Sequence, residues 1–323
     1  MRNKNSSTIN FLKKNEEFAD IVNLVLFQGK SVIKAEHLSE LNPSESIYIT
    51  KSNSNNKKSE NVQRYRDVLK SVKLNEKESC NIQLMVGTEA QSEVHYAMPV
   101  RNMVYDALNY AMQIKEQTIR NRENRNYSNS KEFLSGLTKT DRLIPVITIV
   151  VFFGNGKWDG PVSLHQMLDF DGFPESLTDK MPDYKMMILS PNFIEDRDLE
   201  NMTSSAGYVL GAIKHSKNKK ELENYIEKNK DVFVHFPGYA AAVLNEFCNL
   251  EMKDEDIQKG EVDMCQAVVE IREEGFKEGE KQGIRLIICN ALRNGHTPEQ
   301  VSSFNGISLE EVLEVKTSMD ENE

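Results

Sequence analysis

Four cysteines in 323 residues, Cys80, Cys248, Cys265 and Cys289, stand far apart with no CxxC pair. Such spacing offers neither a thiolate zinc site nor a disulfide framework, and it suits a reducing compartment. Long apolar runs are missing too. The most hydrophobic stretch, LIPVITIVVFF over 143–153, has 11 residues, well short of the ~20 that a membrane-spanning helix needs, so no membrane association is expected. The opening MRNKNSSTINFLKKN contains no apolar core of the signal-peptide kind, and a cytoplasmic protein is expected. The six histidines form neither HxH nor HExxH, and a lone one such as His95 reads as structural. Gly29-Lys30-Ser31 looks like the end of a phosphate-binding loop, but the glycine needed five positions earlier is Leu24, so that loop cannot form. Gly154-Asn-Gly156 lacks the third glycine of a dinucleotide fingerprint and reads as a turn, and no Ser or Cys occupies a nucleophile elbow.

Charge is present in quantity and unevenly placed. The net value of −10 hides a contrast: residues 1–145 carry 22 Lys and Arg against 17 Asp and Glu, whereas residues 146–323 carry 18 against 33. The first part is therefore +5 and the second −15. Asymmetry of this kind hints at a polyanion site in the positive part, although a solvated surface produces it as well.

The chain is long enough to bury a full core. Residues 9–27 read as one amphipathic helix with Phe11, Phe18, Ile21, Val22, Val25 and Leu26 inward, ended by Gly29. A short strand at 47–50 precedes KSNSNNKKSEN (51–61), which has no periodicity and reads as a flexible loop. YRDVLKSVKL (65–74) reads as a strand with Asp67 near its start. NIQLMVGTEAQ (81–91) alternates as a strand should, so Glu89 and Gln91, two apart, face the same side. Pro99 opens a helix, on which Met103, Val104, Ala107, Leu108, Ala111 and Ile114 recur at helical spacing as its inward face. The run 143–153 is a buried strand, YKMMIL (184–189) another, and helices follow over 194–250 with a break at 236–238. Beyond about 246 the chain turns helical and charged. Gly275, Gly279 and Gly283 mark either a close-packing, self-associating helix or a linker helix, and the boxes at Thr297 to Gln300 and Ser308 to Glu311 start two short helices. The last of these, LEEVLEVK, is too acidic to read a DNA groove.

Asp67, Glu89 and Gln91 thus meet at one sheet edge. Two carboxylates that can hold a divalent cation, with a polar group near the attacking water, are what phosphodiester hydrolysis requires. Arg64, Arg66, Lys70 and Lys73 flank Asp67, and Lys57 and Lys58 precede it, as phosphate contacts would. Spacing alone is poor ground, since an Asp followed by ExQ arises often by chance.

In their order along the chain, NEEFADIVNLVLFQGK, YRDVLK, GTEAQSEVHYAMPVRNMVYDALNY, LIPVITIVVFFGNGKWDGPVSL and EEGFKEGEKQGIR resemble the recombination-promoting nucleases, also called Rpn or YhgA-like transposases, of the PD-(D/E)XK superfamily. That resemblance implies a restriction-endonuclease-like α/β core with a mixed central sheet flanked by helices over residues 1–245, and a helical C-terminal region over 246–323 used for homo-oligomerisation. It implies a metal-dependent DNA endonuclease of a bacterial cytoplasm, with Mg²⁺ or Mn²⁺ held by Asp67 and Glu89 and Gln91 standing where the superfamily usually has lysine. Asp20 or Glu17 would supply a further carboxylate. Arg101 and Tyr105 would contact DNA phosphate, beside Arg64, Arg66 and Lys70. The same resemblance admits a catalytically weak relative that binds DNA or a partner through the fold.

Overall fold

The structure, a computed structural model, describes residues 5–42, 44–53, 56–75, 81–258 and 260–320. Its contacts divide the chain into two compact units, residues 1–262 and 263–323, so the first unit runs past the position 245 at which the sequence reading divides the chain.

The N-terminal apolar stripe forms two helices where one was expected, α1 (Asn5–Leu12) and α2 (Asn15–Phe27). The cause of the break is Lys70. Its Nζ donates to the Lys13 carbonyl and to Asn15 Oδ1, each at 2.6 Å, and that carbonyl is reachable only where the chain leaves helical geometry. Past α2, Gln28 and Gly29 adopt positive φ (55° and 79°) and the Gly29 N–H returns to the Asn23 carbonyl, which stops the helix in a left-handed turn.

Strand β1 (Leu38–Glu40) is followed by β2 (Ser44–Asn53) and β3 (Asn56–Tyr65), which pair antiparallel from Ser44↔Tyr65 to Asn53↔Asn56. Residues 51–53 and 56–61, expected as part of a loop, therefore belong to paired strands. A ladder needs only backbone N–H and C=O groups, and KSNSNNKKSEN has no apolar alternation by which to announce one. Strand β4 (Val68–Asn75) starts at Val68, so Asp67 sits in the bend before it instead of inside a strand beginning at 65. Next come β5 (Asn81–Gln91), α3 (Met98–Glu123), α4 (Ser130–Ser135), β6 (Val146–Phe152) and β7 (Met187–Leu189).

The main sheet has the order β1-β4-β5-β6-β7. Its β1-β4 and β4-β5 pairs are antiparallel, while β5-β6 and β6-β7 are parallel, giving the mixed α/β sheet that was expected. Parallel strands lie inside such sheets and read as continuous apolar runs, and VITIVVF is buried along nearly its whole length. Register sorts the side chains. Val68, Thr88 and Ile149 share the α1/α2 face with Lys70 and Val86, whereas Gly87 with Thr148 and Glu89 with Val150 face α3. The order continues with short helices α5 (Glu175–Thr178) and α6 (Asp196–Glu200), then α7 (Ala206–His215), α8 (Lys219–Lys228), α9 (Lys230–Phe233), α10 (Gly238–Phe247) and α11 (Asp254–Ile257). A small ladder of β8 (Phe236–Pro237) and β9 (Glu261–Val262) closes the first unit.

The second unit holds α12 (Met264–Arg293), α13 (Pro298–Asn305) and α14 (Leu309–Asp320) around Ile288, Val301 and Val312. Thr297 and Gln300 form the expected capping box, and Ser308 Oγ accepts the Glu311 N–H. A Cβ at Gly279 or Gly283 would meet no atom within 4 Å. Among the described residues, then, this part of the stripe is left open.

Lys70 is almost fully buried, lies over the Phe18 ring at 4.9 Å, and is pushed down to about 8 by burial. The expected phosphate contact is thus an internal tie between β4 and the α1/α2 break. Lys70→Ala removes the donor from two part-buried acceptors and opens a cavity, for which a loss of about 3 kcal/mol is expected. Urea unfolding measures it; a variant as stable as the wild type would show that the ammonium is not held there.

Candidate active site

Residues 66–67 divide in opposite directions at the bend before β4. Arg66 turns under α3, where its Nη2 meets Asp106 Oδ1 at 2.8 Å and its guanidinium lies 5.6 Å from the Tyr105 ring centre. The room for it comes from Gly87: a Cβ there would stand 2.8 Å from Arg66 Cδ. Asp106 also accepts from Thr148 Oγ1 at 2.8 Å and from the Tyr184 hydroxyl at 2.6 Å. Burial raises its pKa in spite of these donors. Arg66, expected to touch phosphate, is therefore a structural cation buried with its counter-ion.

Asp67 turns the other way, to the edge of β5, where its Oδ2 accepts the Ala90 N–H at 2.8 Å. One bond fixes the first carboxylate beside the strand that carries the second. Burial raises the Asp67 pKa, against the Ala90 N–H and Arg101. Glu89 lies wholly out of water, near the Asp67 backbone N–H but without a well-formed hydrogen bond to it. Its Oε2 is 3.2 Å from Arg101 Nη2 in an ion pair. Burial first, then the Asp67 carboxylate, push Glu89 up to about 8, with Arg101 opposing. Two like charges in a dry place raise each other in this way.

Arg101 and Tyr105, one turn apart on α3, form a unit. Arg101 Nε donates to the Tyr105 hydroxyl at 2.8 Å. The Arg101 side chain is 36% exposed and borders a pocket of about 180 Å³ whose other walls include Asp67, Ala90, Gln91, Ser92, Glu93 and His95. This half-open space has room for a hydrated ion or a phosphate group. Glu89 is absent from the wall because Arg101 covers it.

The structure thus brings together Asp67, Glu89, Gln91, Arg101 and Tyr105. It takes Arg66 and Lys70 into the core. Asp20 accepts from the Thr203 and Ser204 backbone N–H groups at 2.7 and 2.6 Å, and Glu17 from Ser205 Oγ at 2.7 Å and the Tyr239 hydroxyl at 2.8 Å; none of these bonds reaches Asp67 or Glu89. The side chains of Lys57, Lys58 and Arg64, and all of Cys80, lie outside the described residues. Among the described residues no three His, Cys, Asp or Glu side chains gather as a metal cluster. His95, read as structural, is exposed on the pocket rim. The sequence reading also missed Ser92, Glu93 and the Asp106 network. A signal for the first two was available in their place directly after the carboxyl end of β5, where open α/β sheets bind ligands. Asp106 was hidden because an apolar stripe was sought on α3. Of the expected face the helix buries Leu108, but beside it the polar Asn102, Tyr105, Asp106 and Asn109 go inward, while Ala107 and Ile114 are exposed.

Fold and pocket together define an α/β protein with a paired-carboxylate site between β4, β5 and the first turns of α3. The family model described as "Putative transposase, YhgA-like" matches residues 10–240, and the chain belongs to that family. Searches of curated proteins and of solved structures found no match. Among the described residues no helix is long and apolar enough to cross a membrane.

Glu89 gives the unliganded protein a definite pH dependence. Its carboxyl titrates near 4.5 when free and near 8 when folded, so between those values the native state holds a proton that the unfolded chain has released. Stability from this group is complete below pH 4.5 and is lost as pH rises through 8. At about 1.4 kcal/mol per unit, Glu89→Gln is expected to match the wild type near pH 4.5 and to exceed it by up to about 4 kcal/mol near pH 8.5. Urea titrations in EDTA at the two pH values test this, and equal slopes with pH for both proteins would remove the assignment.

Proposed function

We propose that this chain is a divalent-metal-dependent DNA endonuclease that hydrolyses phosphodiester bonds in recombination or mobile-element movement. The observation that carries the proposal is the pairing of two largely buried carboxylates, Asp67 and Glu89, beside one pocket with only the partly exposed Arg101 as a side-chain cation for Glu89 among the described residues, which raises Glu89 to about 8. Such a pair is costly unless a cation completes it. Family membership supports the setting, since the matching description names a transposase, and the site lies in the part of the chain that is +5.

The residues fit Mg²⁺ or Mn²⁺. Mg²⁺ sites commonly use one or two carboxylates, with waters and substrate phosphate filling the other positions, so Asp67 and Glu89 are a sufficient protein donor set. When bound, such a cation acts as a Lewis acid toward a phosphate oxygen and makes water a stronger acid. Asp67 is held for this task by the Ala90 N–H, which fixes one oxygen and leaves the other for the ion. Gln91 has no titratable amine; its amide orients water or a phosphate oxygen at the pocket wall. Arg101 exchanges its partner, leaving Glu89 for the phosphate, and the Tyr105 hydroxyl keeps its Nε in place during that exchange.

A second reading rests on the same ion pair. Arg101 already neutralises Glu89 and covers it, which suits a catalytically weak nuclease-fold protein that binds DNA or a partner without cutting. Plasmid cleavage separates the two. The wild type is expected to nick with Mg²⁺ and not with EDTA. Asp67→Ala and Glu89→Ala, each shown folded by circular dichroism, are expected to lose on the order of a hundredfold or more, and Gln91→Ala less. A wild type that never cuts, or variants that cut equally well, would leave the binding reading in possession.

A further inference from the structure

The far end of α3 carries a second feature that the carboxylate site does not use. Arg122, Arg125, Tyr127 and Phe133 border an open cleft of about 630 Å³. It lies 21 residues along the helix from Arg101, roughly 30 Å at 1.5 Å per residue. The cleft is built, not incidental. The Tyr127 hydroxyl donates to the Thr118 and Gly136 carbonyls, and the Tyr127 and Phe133 rings meet edge to face at 5.7 Å. Asn121 Nδ2 ties the segment further, to the Gly136 carbonyl and to Asp141. On this frame Phe133 is left 59% exposed.

Residues 119–142 hold six Lys and Arg against three Asp and Glu in a chain of net −10. Two of the three acids are engaged in the frame: Glu132 accepts the Ser128 and Lys139 N–H groups, and Asp141 the Thr138 N–H. Neither Arg122 nor Arg125 makes an ion pair or side-chain hydrogen bond with the described residues. A helix dipole accounts for arginine in the last turn, which covers Arg122. It does not cover Arg125, which lies beyond the helix at φ 54°, nor an exposed ring in the same cleft as two guanidinium groups.

We infer that this cleft binds single-stranded nucleic acid, with a base stacked on Phe133 and phosphates on Arg122 and Arg125. Unpaired guanidinium groups beside an exposed aromatic ring are the two components that sequence-tolerant single-strand sites combine. A duplex keeps its bases stacked inside and offers only phosphate. The inference is independent of the cleavage chemistry, because binding is measured without metal.

The test is fluorescence anisotropy of a labelled oligodeoxythymidine and of a duplex of equal length, with the full chain in EDTA. The wild type is expected to prefer the single strand. Phe133→Ala is expected to weaken single-strand binding roughly tenfold with duplex binding unchanged, and Phe133→Trp to restore it. Arg122→Ala with Arg125→Ala is expected to lower the slope of log affinity against log salt by about 1.4, the value for two phosphates on a single strand. If the wild type binds both forms alike and Phe133→Ala changes neither, or if polyglutamate displaces the strand equally from wild type and Phe133→Ala, the cleft is a site for acidic partners and the inference fails.

Discussion

The ion pair between Arg66 and Asp106 sets the geometry on which the site depends. A guanidinium shut away from water must keep its counter-ion or impose several kcal/mol on the fold, so the chain at 66 is fixed against α3. With that residue drawn inward through the gap left by Gly87, its neighbour Asp67 has only the edge of β5 to face, and the Ala90 N–H captures it. The position of one charged group inside the protein thus determines where another meets the pocket. Thr148 and Tyr184 extend the tie to β6 and to the chain before β7, so the placement of Asp67 draws on all the inner strands.

Much of the architecture was legible because it rests on periodicity. Alternation in NIQLMVGTEAQ, the continuous apolar run before Gly154 and the Pro99 helix start each gave the correct element, and the facing of Glu89 with Gln91 followed from strand geometry alone. What stayed hidden depends on partners remote in sequence. Lys70 looks like any surface lysine until the Lys13 carbonyl and Asn15 appear beside it. Arg66 and Lys70 differ in fate from a solvated strand edge only through Asp106 and the α1/α2 break. The β2-β3 pair escaped because its polar residues carry no hydrophobic signal, and the polar buried face of α3 escaped because helical faces are ordinarily judged by their apolar residues. Within the site, the two carboxylates were legible and the arginine that covers one of them was seen only as a phosphate contact.

Glu89 and Arg101 show how such a site is kept in a folded protein. Two carboxylates placed together oppose folding, and the arginine lowers that opposition while remaining partly exposed and able to leave. Its hydroxyl partner Tyr105 is buried, so Arg101 has an anchor on α3 besides Glu89. A cation that arrived from solution would compete with a guanidinium held by one ion pair and one hydrogen bond, not with a fully solvated carboxylate.

The order of the strands also bears on how the protein acquires this arrangement. Asp67, Glu89 and Arg101 lie on one continuous stretch, β4 to the first turns of α3, whereas the parallel partner β6 begins at Val146. Local contacts form at lower loop-closure cost than distant ones. The two acids thus come from chain close in sequence, while the apolar strand whose Val150 pairs with Glu89 comes from far along it. The site therefore joins a local pair of acids to a wall supplied from a distance, so a change in β6 can disturb it without touching either acid.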